Sequence, residues 1–182
     1  HTECISTALG IERYSLVGHS EGGFIAAKLA IERPSQVVSL CIVTSGATAP
    51  VFGDYRDAAW SAAAAAAYNV KDGCETVDDF IKTATSWSET FPTDFEQILR
   101  ENYNFAIRKG QLERLKEVAQ NGDYKNYNKI QYTHILPFLA DVEARVLLVW
   151  AANDKTVPVE RGHMLRAFCP SADMHVFASA AH

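Results

Sequence analysis

The sequence predicts an α/β fold: parallel strands with flanking helices, and a helical insertion between two of the strands. Three observations carry this. Apolar runs of strand length recur at residues 14–17, 37–44, 145–150 and 174–177. An amphipathic stretch of helical period separates the first two runs, as the crossover of a parallel strand pair requires. About a hundred residues then separate the second run from the third, too many for a plain connection, and they read as helices.

Taken in order, Thr2 to Gly10 reads as a helix leading into the first strand. Tyr14-Ser15-Leu16-Val17 is a short apolar strand that ends at Gly18. The helix that follows runs from Gly23 to Arg33 and stops before Pro34, because the residue ahead of a proline is pushed out of helical geometry. The strand at 37–44 contains Cys41, read as a buried small apolar residue. Helices are then expected at 54–69, 76–89, 93–108 and 111–120, with turns at Gly73, Phe91-Pro92, Gly110 and Asn121-Gly122. The alanine run Ser61 to Ala67 is low in complexity but strongly helix-favouring. A short helix over 132–139 returns the chain to the sheet. The run Arg145-Val146-Leu147-Leu148-Val149-Trp150 has no polar alternation after its first residue, as expected of a central parallel strand buried on both faces. A final strand at 174–177 leads through Ala178-Ser179-Ala180-Ala181 to His182. The expected division is a sheet core from 1–50 and 132–182, with 51–131 forming a helical cap.

The junction between the first strand and its helix carries the chemistry. Gly18-His19-Ser20-Glu21-Gly22 spells Gly-x-Ser-x-Gly. A serine on a tight turn between a strand and a helix is a nucleophile elbow. The glycines spare a strained turn the clashes of larger side chains. The hydroxyl is lifted off the sheet's end, and the Glu21 backbone N–H sits at a helix N-terminus, where an oxyanion is stabilised. Asp154 lies in the loop just past the strand at 145–150, at the sheet edge where ligands of open α/β sheets collect. His182 follows the last strand. The order serine, acid, histidine is the one such an elbow requires. Ser20 is therefore read as nucleophile, His182 as general base and then acid, and Asp154 as the group that orients and charge-stabilises the imidazole. Asp154 has a second reading, as a loop carboxylate capping the helix that begins near Val159. His19 is expected to pack or orient the turn, and His134, His163 and His175 lack ligand partners at helical spacing, so no metal is expected.

The elbow Leu16-Val17-Gly18-His19-Ser20-Glu21-Gly22-Gly23 resembles that of the α/β-hydrolase superfamily. The stretch through Val146, Trp150, Asp154, Val157-Pro158, His175-Val176-Phe177 and His182 is similar to the meta-cleavage-product hydrolases, which cleave carbon–carbon bonds in ring-opened aromatic catabolites. The resemblance implies a cofactor-free hydrolase with Ser20, Asp154 and His182 as its triad, and with Val157 and Tyr103 near the substrate. Those hydrolases often carry a lid arginine that grips an acidic substrate group. Aligning Ile98-Leu99 with the apolar pair of that lid helix places Asn102 there, followed by Tyr103, while Arg100 and Arg108 fall out of place. An ester and an activated carbon–carbon or ketone bond both remain open as the bond cleaved.

Composition fits an ordinary globular domain, 48% hydrophobic and 21% charged. A net charge of −5 offers no basic surface for nucleic acid or anionic lipid. No apolar run approaches the ~18–20 residues of a membrane span. Cys4, Cys41, Cys74 and Cys169 are widely spaced, which suits a reduced cytoplasmic setting better than a disulfide framework. The expected partner is a small, largely apolar substrate, with homo-oligomerisation left open. The aromatics Trp60, Tyr68, Trp87, Phe91, Tyr103 and Phe105 are read first as the packing of the cap and second as a pocket lining. Only residues 1–19 precede Ser20, where such a fold usually places earlier strands and a second oxyanion donor. The chain is accordingly expected to be an internal piece of a longer hydrolase, inactive in isolation. A receptor on the same fold with little turnover is the alternative function.

Overall fold

The computed structural model of the protein describes residues 2–58, 76–85, 91–108, 110 and 127–182. Four strands, β1 (Tyr14–His19), β2 (Val37–Val43), β3 (Arg145–Ala151) and β4 (Asp173–Phe177), form one sheet in the order β1-β2-β3-β4. Every pairing is parallel. Parallel neighbours send all their C-terminal ends to the same edge, so the loops after the four strands gather there. A helix, α1 (Thr2–Ala8), precedes β1.

β1 runs two residues past the expected strand. Gly18 and His19 pair with Ile42 and Val43, so the ladder with β2 overrides the weak strand preference of glycine. Helix α2 (Glu21–Glu32) begins directly after Ser20 and packs on β1 and β2. Its buried face is Gly23, Ala26, Ala27 and Ala30, small residues that let the helix lie close to the sheet. The same core cluster as these alanines holds Leu40 and Ile42 of β2 and Val146, Leu148 and Trp150 of β3. Trp150 is fully buried, and its indole N–H donates to the Val157 carbonyl at 3.1 Å.

The chain reaches β3 through two elements rather than one. Helix α5 (Tyr127–His134) starts before the expected helix, and a 3₁₀ segment (Leu136–Asp141) follows it. Pro137 lacks the N–H that an α-helix needs and disfavours α geometry at Leu136, so the turn tightens there. Leu136 and Leu139 still reach the core. Helix α6 (Val159–Phe168) crosses from β3 to β4. It lies so close that a side chain at Gly162 would meet the Trp150 ring at 2.6 Å.

In the stretch expected to form the cap, α3 (Val77–Thr85) and α4 (Phe95–Arg108) pack together. The Tyr103 ring is buried against Phe80, with centroids 5.5 Å apart, and Phe91 stacks on Phe95. The expected helix 111–120, the part of 54–69 beyond residue 58, the turns at Gly73 and 121–122, and Trp60, Tyr68, Cys74 and Trp87 lie outside the described residues.

The sheet face away from α2 is open among the described residues. It carries Val17, 76% exposed, with Leu147 and Phe177. Cys41, expected to be buried, lies opposite Val17 in the ladder and is only partly covered for the same reason. Among the described residues no helix is long and apolar enough to cross a membrane.

Candidate active site

The elbow is built by close contacts that only glycine allows. A side chain at Gly18 would run into the Gly22 carbonyl, and one at Gly23 would meet Ser45 Cβ at 2.5 Å. Gly22 is different, since a side chain there would enter open space. Its part in the motif is played by its backbone, which passes against Gly18. Between them, Ser20 is forced to φ 54°, ψ −121°, a strained conformation for a residue with a side chain. The strain is held from both sides: Ser20 N–H donates to Val43 O at 3.0 Å, and Gly23 N–H donates to Ser20 O at 3.0 Å. Gly18→Ala and Gly23→Ala are each expected to cost about 1–3 kcal/mol through overpacking, and Gly22→Ala much less. Thermal unfolding of the three variants checks this ranking.

The loops after β3 and β4 are laced together. Ala152 N–H donates to Phe177 O at 3.0 Å and Asn153 N–H to Ala180 O at 3.1 Å. This brings Asp154 and His182 into contact across adjacent strand ends. His182 Nδ1 lies 2.8 Å from Asp154 Oδ2, and His182 Nε2 lies 3.1 Å from Ser20 Oγ. The imidazole and the carboxylate are both sealed from water.

The two carboxylate oxygens divide their work. Oδ1 accepts from Thr156 N–H (2.8 Å), Thr156 Oγ1 (2.8 Å) and Val157 N–H (2.7 Å). Oδ2 alone is left to face the imidazole. Asp154 is not the cap of α6, a position held by Pro158. With an acceptor at Nδ1, the ring carries its proton there and presents Nε2 to the serine hydroxyl as an acceptor. Three residues distant in sequence thus form one unbroken chain of hydrogen bonds at the sheet's C-terminal edge. Such an array can deprotonate an alcohol and return the proton to a leaving group.

The sequence profile of the alpha/beta hydrolase fold matches residues 1–182. The chain belongs to that family. Among relatives, a 2-hydroxy-6-oxononadienedioate/2-hydroxy-6-oxononatrienedioate hydrolase of Dechloromonas aromatica (strain RCB) is 26% identical over 194 residues, a match covering 96% of this chain and 57% of the relative. The chain therefore spans little more than half the length of that protein. Among solved structures, a serine hydrolase from the polyaromatic-hydrocarbon-degrading bacterium Cycloclasticus zankles superposes with a TM-score of 0.74 at 18% identity, over 100% of this chain and 61% of the other. The 2-hydroxy-6-oxo-6-phenylhexa-2,4-dienoate hydrolase of Rhodococcus sp. strain RHA1 gives 0.67 at 20% identity, over 97% and 60%. At these identities the superpositions speak for the fold.

Two further contacts in this hydrolase-fold chain carry no sequence signature. The first is His19, whose Nε2–H donates to the His182 backbone oxygen at 2.8 Å, the two rings being 4.8 Å apart. Loss of solvation, followed by the neighbouring His182 ring, holds His19 below its ordinary value of 6.5, against the opposing pull of that backbone bond and of Asp154. The unfolded chain therefore binds this proton more readily than the folded one. His19's contribution to stability is complete above the ordinary value and declines as pH falls through it toward the lowered one. Urea midpoints of the full-length protein should fall between about pH 7 and about pH 5, and His19→Gln should flatten part of that slope.

The second contact is a clamp on the loop after β2. Arg161 of α6 donates from Nη2 to Gly46 O (2.9 Å) and Ala49 O (2.6 Å), and from Nε to Pro50 O (2.9 Å). Gln131 of α5 adds a bond from Nε2 to Gly46 O at 2.7 Å. The Gly46 carbonyl thus joins the loop after β2 to both α5 and α6. Val157 presses on the same glycine, where an added side chain would meet Val157 Cγ2 at 2.9 Å. Among the described residues no cluster of three or more His, Cys, Asp or Glu side chains could hold a metal ion.

Proposed function

We propose that this chain carries the catalytic centre of a cofactor-free serine hydrolase acting on an ester or an activated ketone of a small, largely apolar substrate. The observation that carries the proposal is the continuous array Ser20 Oγ, His182 and Asp154, with links of 3.1 and 2.8 Å and with the imidazole and carboxylate sealed from water. In the reaction, Ser20 Oγ gives its proton to His182 Nε2 and attacks the substrate carbonyl carbon. The carbonyl oxygen becomes an oxyanion beside the Glu21 N–H at the start of α2. Collapse expels the leaving group, which takes the proton from His182. Water then repeats the sequence in reverse and frees the acid from Ser20. Asp154 stays ionised throughout and offsets the charge on the imidazolium.

Residues 51–131 are proposed as a cap over this edge, with Val157 and Tyr103 the first apolar substrate contacts to test. Similarity to hydrolases named for 2-hydroxy-6-oxo diacids supports a second reading, cleavage next to an activated ketone in an acidic substrate. Against it, Arg100 is engaged by Asp78 and Glu96, and Asn102 occupies the position where a carboxylate grip is expected. A fluorophosphonate probe applied to the full-length protein should label Ser20, and a chromogenic short-chain ester should be turned over. Labelling at Ser45 or Ser179 instead would overturn the assignment.

A further inference from the structure

The loop after β2 turns back on the elbow in a way that the array above does not use. Thr44, at the end of β2, adopts φ 37°, a left-handed conformation that β-branched residues avoid. The turn brings Ser45, fully buried, under the elbow. Ser45 Oγ donates to the Ser20 carbonyl oxygen at 2.5 Å. Because that hydroxyl has a single proton, its contact with Thr48 Oγ1 at 2.8 Å is one in which Thr48 donates. The Ser20 carbonyl therefore accepts two bonds, one from Ser45 and one from Gly23 N–H. The absence of a side chain at Gly23 is what lets Ser45 come this near, since an added Cβ would meet Ser45 Oγ at 2.6 Å.

The consequence follows from the geometry of one peptide unit. The Ser20 C=O and the Glu21 N–H belong to the same planar trans amide and point in opposite directions. Fixing the carbonyl toward Ser45 fixes the N–H away from it. We infer that Ser45 is a positioning residue for the oxyanion donor: by holding the Ser20 carbonyl it sets the direction of the Glu21 N–H before substrate arrives. Arg161 and Gln131 support it by holding the loop through Gly46. A donor aimed in advance needs no reorganisation when the oxyanion forms, which is where such a donor has its effect. This inference rests on the serine hydrolase reading.

The experiment uses the full-length protein and Ser45→Ala, which keeps the Cβ packed on Gly23 and removes only the hydroxyl. Three quantities are read on a chromogenic ester: kcat, KM, and Ki for a trifluoromethyl ketone, whose adduct on Ser20 places an oxyanion in the site. The expected result is a kcat lowered about 10–100-fold and a Ki raised by a similar factor, with KM within about twofold of wild type. A merely structural role would lower the unfolding temperature and move KM and Ki together. Thr48→Val, which leaves the Ser45 hydroxyl in place, should keep kcat within about threefold. If Ser45→Ala does not fold, Ser45→Cys takes its place, with its weak donor giving an intermediate loss in kcat and Ki. Unchanged kcat and Ki in the folded variant overturn the inference and leave the hydrolase reading standing. Absence of both ester turnover and Ser20 labelling in the wild type overturns the hydrolase reading, and the inference with it.

Discussion

Replacing Ser20 by alanine in the full-length protein is expected to lower kcat by about five to six powers of ten while leaving KM for an ester nearly unchanged. The argument is local. Alanine keeps a Cβ on a backbone already held at φ 54° by the Val43 and Gly23 bonds, so the elbow does not relax. What disappears is the oxygen 3.1 Å from His182 Nε2, and with it the covalent route. The oxyanion donor and the apolar contacts survive, which is why binding persists and why a residual rate above the uncatalysed reaction remains. Steady-state kinetics with purified variant and a fluorophosphonate labelling control decide the matter. Full labelling of Ser20→Ala would mean that another serine is the reactive one.

The parts of the site that were legible in the sequence are those tied to strand ends. A strand's termination is visible as the end of an apolar run, and Ser20, Asp154 and His182 each follow such an end within a few residues. In a parallel sheet those ends share one edge, so three local readings became one spatial prediction. The elbow was also legible because its glycines cluster, although for Gly22 the steric reason differs from the one the motif suggests. Ser45 had no such marker. A serine after a strand is common, and its role depends on the turn at Thr44 and on the bare Cα of Gly23, both tertiary facts. Arg161 was hidden for another reason: its partners are three backbone carbonyls, which leave no trace in side-chain patterning. The split of the return segment into α5 and a 3₁₀ turn hinged on one proline, Pro137, inside an otherwise apolar stretch.

Asp154→Asn is expected to keep the fold and lower kcat by about 10⁴-fold, because the structure dictates which way the new amide must face. Oδ1 accepts from two backbone N–H groups and the Thr156 hydroxyl, so the amide carbonyl must take that position. The amide NH₂ then falls where Oδ2 stood, 2.8 Å from His182 Nδ1. Two donors cannot face each other, so the imidazole moves its proton to Nε2. That nitrogen now donates toward Ser20 Oγ and can no longer accept its proton. The loop keeps its three bonds, so the urea midpoint of Asp154→Asn should stay close to that of the wild type. Asp154→Ala, by contrast, abandons those donors in a buried site and should lower stability as well as rate. Measuring kcat and the unfolding midpoint for both variants separates the two functions of this carboxylate. If Asp141→Asn or Asp173→Asn, at or just before strand starts on the opposite edge of the sheet, abolished turnover while Asp154→Asn did not, Asp154 would not be the acid, and the array joining Ser20 to Asp154 would be structural.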